Sequence, residues 1–126
     1  MIQKNSSVQK IATRQAYGDA LAEFGADNRI VVLDADLSAS TRTNAFRKKY
    51  PERFFNMGIA EANMMSAAAG LATCGKIAFA SSFAIFAAER AWGHYLSASS
   101  DNCKECQTPL YYVRRNYNRD IFPITG

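Results

Sequence analysis

Ile30-Val31-Val32-Leu33 is the stretch on which the fold turns. It is continuously apolar, and its first three residues are β-branched, which suits a strand. A strand with one wet face alternates apolar and polar residues, and this run does not. Both of its faces are therefore expected to be buried, as in a parallel sheet covered by helices on two sides. Asp34-Ala35-Asp36-Leu37-Ser38-Ala39-Ser40-Thr41 follows at once, polar and rich in small residues. It stands at the carboxyl end of the strand, where open α/β sheets bind ligands. The same Asp and Ser residues could equally end the strand and cap the next helix.

Upstream, Ala16, Tyr17, Ala20, Leu21 and Phe24 recur at helical spacing. Thr13 is placed to cap a helix from Arg14, Gly25 to end it, and Asp27-Asn28 to turn the chain. Downstream, Asn44 to Tyr50 reads as a short basic helix stopped by Pro51. Arg53-Phe54-Phe55-Asn56-Met57-Gly58 reads as a second strand. The segment Ile59 to Ala72 is nearly all Ala, Met and other helix formers, with Gly75 beyond it. Such a helix is expected to be buried on most sides. Glu61 is conspicuous there, because a buried carboxylate must be paired or protonated. The alternative is that it favours its own helix N-terminus through the dipole. Lys76 to Ser82 is a third strand, and a helix from about Phe83 to Trp92 follows, with Phe83, Phe86 and Arg90 on neighbouring turns. Helices and strands thus alternate, which predicts an α/β fold with a parallel sheet and helices on both faces.

From Gly93 the texture changes. Ser97 to Gln107 is polar, Leu110-Tyr111-Tyr112-Val113 could form a strand, and Arg114 to Gly126 has no helical period. The chain has 126 residues, enough for one core, and 48% of them are hydrophobic, which argues against disorder as a whole. No apolar run approaches the roughly 18 residues of a membrane span, and Met1 to Lys10 lacks an apolar signal core. A cytoplasmic location and no membrane partner are the expectations. The net charge of +4 comes from scattered Lys and Arg, with one cluster at Arg47-Lys48-Lys49, so nucleic acid is not an expected partner. Three cysteines do not suggest a disulfide framework. Cys74, among small apolar residues, is expected to be buried. Cys103-Lys104-Glu105-Cys106 is a lone CxxC with one histidine, His94, in the whole chain, too few ligands for a zinc site. A small redox protein built on that pair is the weakest of the functional readings. No GxGxxG or P-loop pattern occurs.

Four blocks carry a family resemblance: Thr13 to Gly18, Val31 to Ser38, Phe54 to Met64 and Gly75 to Phe86. In this order and spacing they resemble the pyrimidine-binding domain of transketolase, above all the separate C-terminal subunit of split bacterial and archaeal transketolases. The likeness runs from about residue 9 to Trp92. It implies thiamine diphosphate as cofactor and two-carbon ketol transfer between sugar phosphates, the chemistry of the pentose phosphate pathway. Glu61 matches the glutamate that hydrogen-bonds N1′ of the aminopyrimidine and favours the imino tautomer of its 4′-amino group. Phe83 and Phe86 match the aromatic wall of the ring pocket, although spacing alone fits two core phenylalanines equally well. Asp36 matches an acidic residue near the thiazolium side. A third aromatic of the family pattern is replaced here by Glu89.

The resemblance also implies what lies elsewhere. Ligands for the diphosphate and its Mg²⁺ belong to a partner, the N-terminal diphosphate-binding subunit, in a homo- or hetero-oligomer whose cofactor site is completed across an interface. After Trp92 the family pattern stops, and His94 is not in the context of the family's substrate-contacting histidine. The chain is therefore expected to comprise a partial domain, 1–92, truncated before a non-matching tail, 93–126, with a sheet incomplete at its C-terminal end. A 1-deoxyxylulose-5-phosphate synthase-like fragment and a catalytically inactive remnant are the alternatives to a transketolase part.

Overall fold

β1 (Ile30–Asp34) is buried at all five positions. It lies inside a four-stranded, all-parallel sheet of order β2-β1-β3-β4. This is a computed structural model, and it describes residues 10–87, 89–91 and 111–113. Helix α1 (Thr13–Phe24) leads into β1. Two short helices follow it, α2 (Ser38–Thr41) and α3 (Asn44–Lys49), with a 3₁₀ turn at Pro51–Arg53. Then come β2 (Phe54–Asn56), α4 (Glu61–Thr73) and β3 (Ile77–Ser81). A last helix, α5, takes in residues 84–87 and 89–91, and β4 is Tyr111–Val113. Among the described residues no helix is long and apolar enough to cross a membrane.

The continuous apolar run has the consequence expected of it. Val31 and Leu33 point to one face and pack with Met64, Met65 and Ala68 of α4 and Ala91 of α5. Ile30 and Val32 point to the other face and pack with Tyr17 and Leu21 of α1 and Phe46 of α3. Alternation along one strand thus supplies two separate cores. Parallel register pairs Val32 with Phe54 and Ile30 with Ile77, so β1 is flanked by strands that follow it in the chain.

Arg53 fastens the amino end of this sheet. Its guanidinium donates to the carbonyls of Asp27 at 2.7 Å, Ile30 at 3.1 Å and Gly25 at 2.6 Å. It also lies over the Tyr50 ring, 4.4 Å from the centroid. Three backbone carbonyls, from the end of α1 to the start of β1, are met by one planar fork of donors.

Several local expectations are corrected. Helix α1 begins at Thr13 itself, and Ala12 occupies the cap position with no side-chain cap bond. Gly25 does end the helix, as expected, with φ −58°. Its requirement is space: a Cβ there would stand 2.5 Å from the Tyr50 ring and 2.7 Å from the Phe46 ring. Arg53 belongs to the 3₁₀ turn, not to β2. Cys74 is exposed at the end of α4, because its apolar neighbours in sequence face the core from other sides of the helix. Helix α4 is covered on most sides, as expected, and Asn63, Ser66, Gly70 and Thr73 form its exposed strip. Tyr111–Val113 forms a strand where one was read at Leu110 to Val113, and it pairs in parallel with β3. Residues 93–110 and 114–126, with His94 and the Cys103/Cys106 pair, lie outside the described residues.

Candidate functional site

The carboxyl ends of β1, β2 and β3 open toward the start of α4, and the candidate residues collect there. Gly58, at φ +71°, turns the chain from β2 toward α4. Glu61 then becomes the first residue of that helix. Its side chain is nearly sealed, with the residue 2% exposed. Both expectations for it are therefore met in one place: it stands at a helix N-terminus, where the dipole favours an anion, and it is buried.

Each carboxylate oxygen has a partner. The Ser82 hydroxyl donates to Oε1 at 3.2 Å, and the Arg90 guanidinium donates to Oε2 at 3.4 Å. The two partners differ in setting. Ser82, just beyond β3, is 1% exposed. The Arg90 side chain is 49% exposed, against 2% for that of Glu61. Arg90 also lies over the Phe86 ring, 4.8 Å from its centroid. Phe86 and Phe83 stand 5.7 Å apart, their planes tilted by 30°. A chain of contacts therefore runs from Ser82 through Glu61 and Arg90 to Phe86 and Phe83. Glu89 is exposed on the same helix.

Asp36 takes a different position. It is exposed in the loop after β1, holds a left-handed backbone with φ +62°, and accepts from Asn56 Nδ2 at 3.0 Å. Asn56 Oδ1 in turn accepts from the Gly58 N–H at 3.0 Å, so Asp36 and the turn into α4 are tied through one amide side chain. No described contact joins Asp36 to Glu61. Its neighbour Asp34 is the buried carboxyl of the pair. It accepts from the Thr41 hydroxyl at 2.7 Å, the Thr43 hydroxyl at 2.9 Å and the Leu37 N–H. Burial pushes its carboxyl above the usual range, while these donors oppose the shift. This network closes the β1–α2 loop. On the same face of the sheet as Asp34, the Tyr17 phenol and the Ser81 hydroxyl are 2.8 Å apart, and burial raises the phenol's pKa well above its ordinary value.

Sequence reasoning did not single out Ser82, Arg90 or Asp34 for the site. Arg90 carried a usable signal, since it follows Phe86 by one helical turn and so shares its face. Ser82 carried none, because its partner is met only when β3 is laid beside α4. Among the described residues no group of three or more His, Cys, Asp and Glu side chains could hold a metal ion.

Residues 9–110 match the family model of the transketolase pyrimidine binding domain. The putative transketolase C-terminal section of Methanocaldococcus jannaschii is 59% identical over 90 residues, covering 71% of this chain and 28% of that protein. Transketolase-like protein 2 of Mus musculus is 55% identical over 78 residues, covering 60% of this chain and 12% of that one. A solved structure described as a split gene transketolase, inactive beta4 tetramer, aligns with a TM-score of 0.60 at 65% identity, over 68% of this chain and 29% of that chain. The chain thus spans less than a third of each of these relatives.

Proposed function

The chain belongs to the transketolase pyrimidine-binding domain family, and from that premise we propose that it supplies the pyrimidine side of a thiamine-diphosphate site in a transketolase assembled from separate chains. One observation carries the proposal: a sealed carboxylate at the head of α4 shares its surroundings with a pair of aromatic rings. The residues present fit an aminopyrimidine. Such a ring needs an acceptor for a nitrogen-bound proton and an apolar wall for its face. Glu61 is the acceptor, and Phe83 and Phe86 are the wall. Ser82 keeps the carboxylate in one orientation. Asp36, at the mouth of the same sheet end, faces the remainder of the cofactor.

When bound, the cofactor supplies the nucleophilic carbon that carries a two-carbon ketol unit from one sugar phosphate to another. The part of this chain is to orient the ring, exclude water from it and hold a proton between Glu61 and the ring nitrogen. The diphosphate and Mg²⁺ are held by the partner, an N-terminal diphosphate-binding subunit. Exposed apolar side chains beside the site support an interface: Ile59, 76% exposed, lies just before Glu61, and Ile85, 59% exposed, adjoins Phe86.

Co-expression with the diphosphate-binding subunit of a split transketolase tests the reading. The expected result is a stable complex with ketol transfer that depends on added thiamine diphosphate. Formation of 1-deoxyxylulose 5-phosphate in place of ketol transfer would move the chain to the related synthase. A complex that assembles, binds cofactor and turns over nothing would overturn the catalytic reading.

A further inference from the structure

Glu61 is held on two sides by groups of opposite character. Ser82 is buried and has nowhere to go. Arg90 has half its side chain in solvent and reaches Oε2 only at 3.4 Å. The Arg90 guanidinium is flat, donates N–H to the carboxylate and lies over Phe86. Those are the two contacts that a flat aminopyrimidine would make at the same place. A guanidinium and such a ring cannot both lie on that face of Phe86 and donate to the same carboxylate oxygen.

We propose that Arg90 is a resident stand-in for the ring. It pairs with Glu61 and covers Phe86 while the site is free of a ligand, and it swings into solvent when a flat nitrogen heterocycle arrives. The physical need for it is plain. A sealed carboxylate with a single hydroxyl donor is costly, and a cation one helical turn beyond Phe86 removes that cost without blocking the site permanently. The exchange trades one charge-assisted contact for another, so it discriminates against apolar rings that cannot replace the donor. The proposal rests on the reading of Glu61, Phe83 and Phe86 as a ring site.

The test uses the full chain and 4-amino-2-methylpyrimidine as probe, titrated by calorimetry into the wild type, Arg90→Ala, Arg90→Lys and Glu61→Gln. Removing a contact that occupies the site should raise the apparent affinity, by at least about five-fold in Arg90→Ala. Arg90→Lys, which keeps the charge but not the plane, should fall between it and the wild type. Glu61→Gln should lose the probe. Equal or weaker binding by Arg90→Ala, with Glu61→Gln still losing the probe, would overturn the stand-in and leave the ring site intact. No binding by either the wild type or Arg90→Ala would overturn both. A second readout needs no variant. The Arg90 Nε–H resonance of the wild type should move to the position of a solvated arginine as probe is added. A resonance that stays put at saturation refutes the exchange.

Discussion

The Ser82 hydroxyl stands 3.2 Å from Glu61 Oε1, and both residues are all but sealed from water. One lies just past the end of β3 and the other at the head of α4, so this bond fastens the site to the sheet. Ser82→Ala removes a donor from a buried carboxylate and should cost about 1–3 kcal/mol of stability. Urea unfolding of the two proteins measures it directly. Equal midpoints and slopes would show that the bond contributes nothing.

Glu61→Gln keeps the shape of the side chain and removes its ability to hold the proton. In a complex with the diphosphate-binding subunit, turnover should fall by on the order of 10²-fold or more, with the far-ultraviolet spectrum unchanged. Near-normal turnover with cofactor bound removes Glu61 from the proton-holding role.

Two glycines should respond to alanine in opposite directions. A Cβ on Gly18 would meet the Arg42 carbonyl oxygen at 2.6 Å and the Arg42 Cβ at 2.7 Å. Arg42 itself holds a left-handed backbone and has little freedom to retreat. Gly18→Ala should destabilise by about 1–3 kcal/mol. Gly70, in the exposed strip of α4, has nothing within 4 Å of that position. Gly70→Ala should stabilise by about 0.5–1 kcal/mol through helix propensity. Thermal melts of the two variants settle the sign of each.

Asp34 makes a pH prediction with a definite sign. Burial raises its carboxyl in the folded chain, so the folded state keeps the proton to higher pH than the unfolded chain does. Its contribution is fully present below the unfolded value of about 4 and is lost as pH rises through the folded value. Asp34→Asn has no such loss. The variant should gain stability relative to the wild type between pH 4 and pH 7, as read by melting temperature. A wild type that gains on the variant over that range contradicts the assignment.

What the amino-acid order made legible was whatever depends on near neighbours. Ile30 to Leu33 announces a strand buried on two faces, because burial on one face leaves a period and this run has none. Glu61 stands out for the same kind of reason, as a charge in an apolar helix. Of the partners of Glu61, Arg90 shares a helix face with Phe86 and could have been read, whereas Ser82 reaches it only once β3 is packed against α4. Gly25 was legible as the end of α1, but not that the Tyr50 and Phe46 rings are what exclude a side chain there. The exposed strip of α4 is carried by Asn63, Ser66, Gly70 and Thr73, polar or small residues at helical spacing, and Ala and Met in the rest of the helix drew attention away from it. Of the two acids at the carboxyl end of β1, Asp36 fitted the family pattern, and nothing in sequence distinguished Asp34 as the sealed one.

The all-parallel sheet has a kinetic meaning as well. Residue 32 pairs with residue 54, residue 30 with residue 77 and residue 79 with residue 111, so no two strands can meet as a hairpin. Each pairing waits on the closure of a long loop, and the entropy of that closure is spent before any ladder forms. Until β2 and β3 arrive, β1 shows two apolar faces and two open edges to its surroundings. The newly made chain therefore passes through an interval in which its most buried strand is its most adhesive one. In the finished fold the Arg53 fork holds the end of α1, the start of β1 and the approach to β2 in one knot, among the most local of the ties that close this sheet.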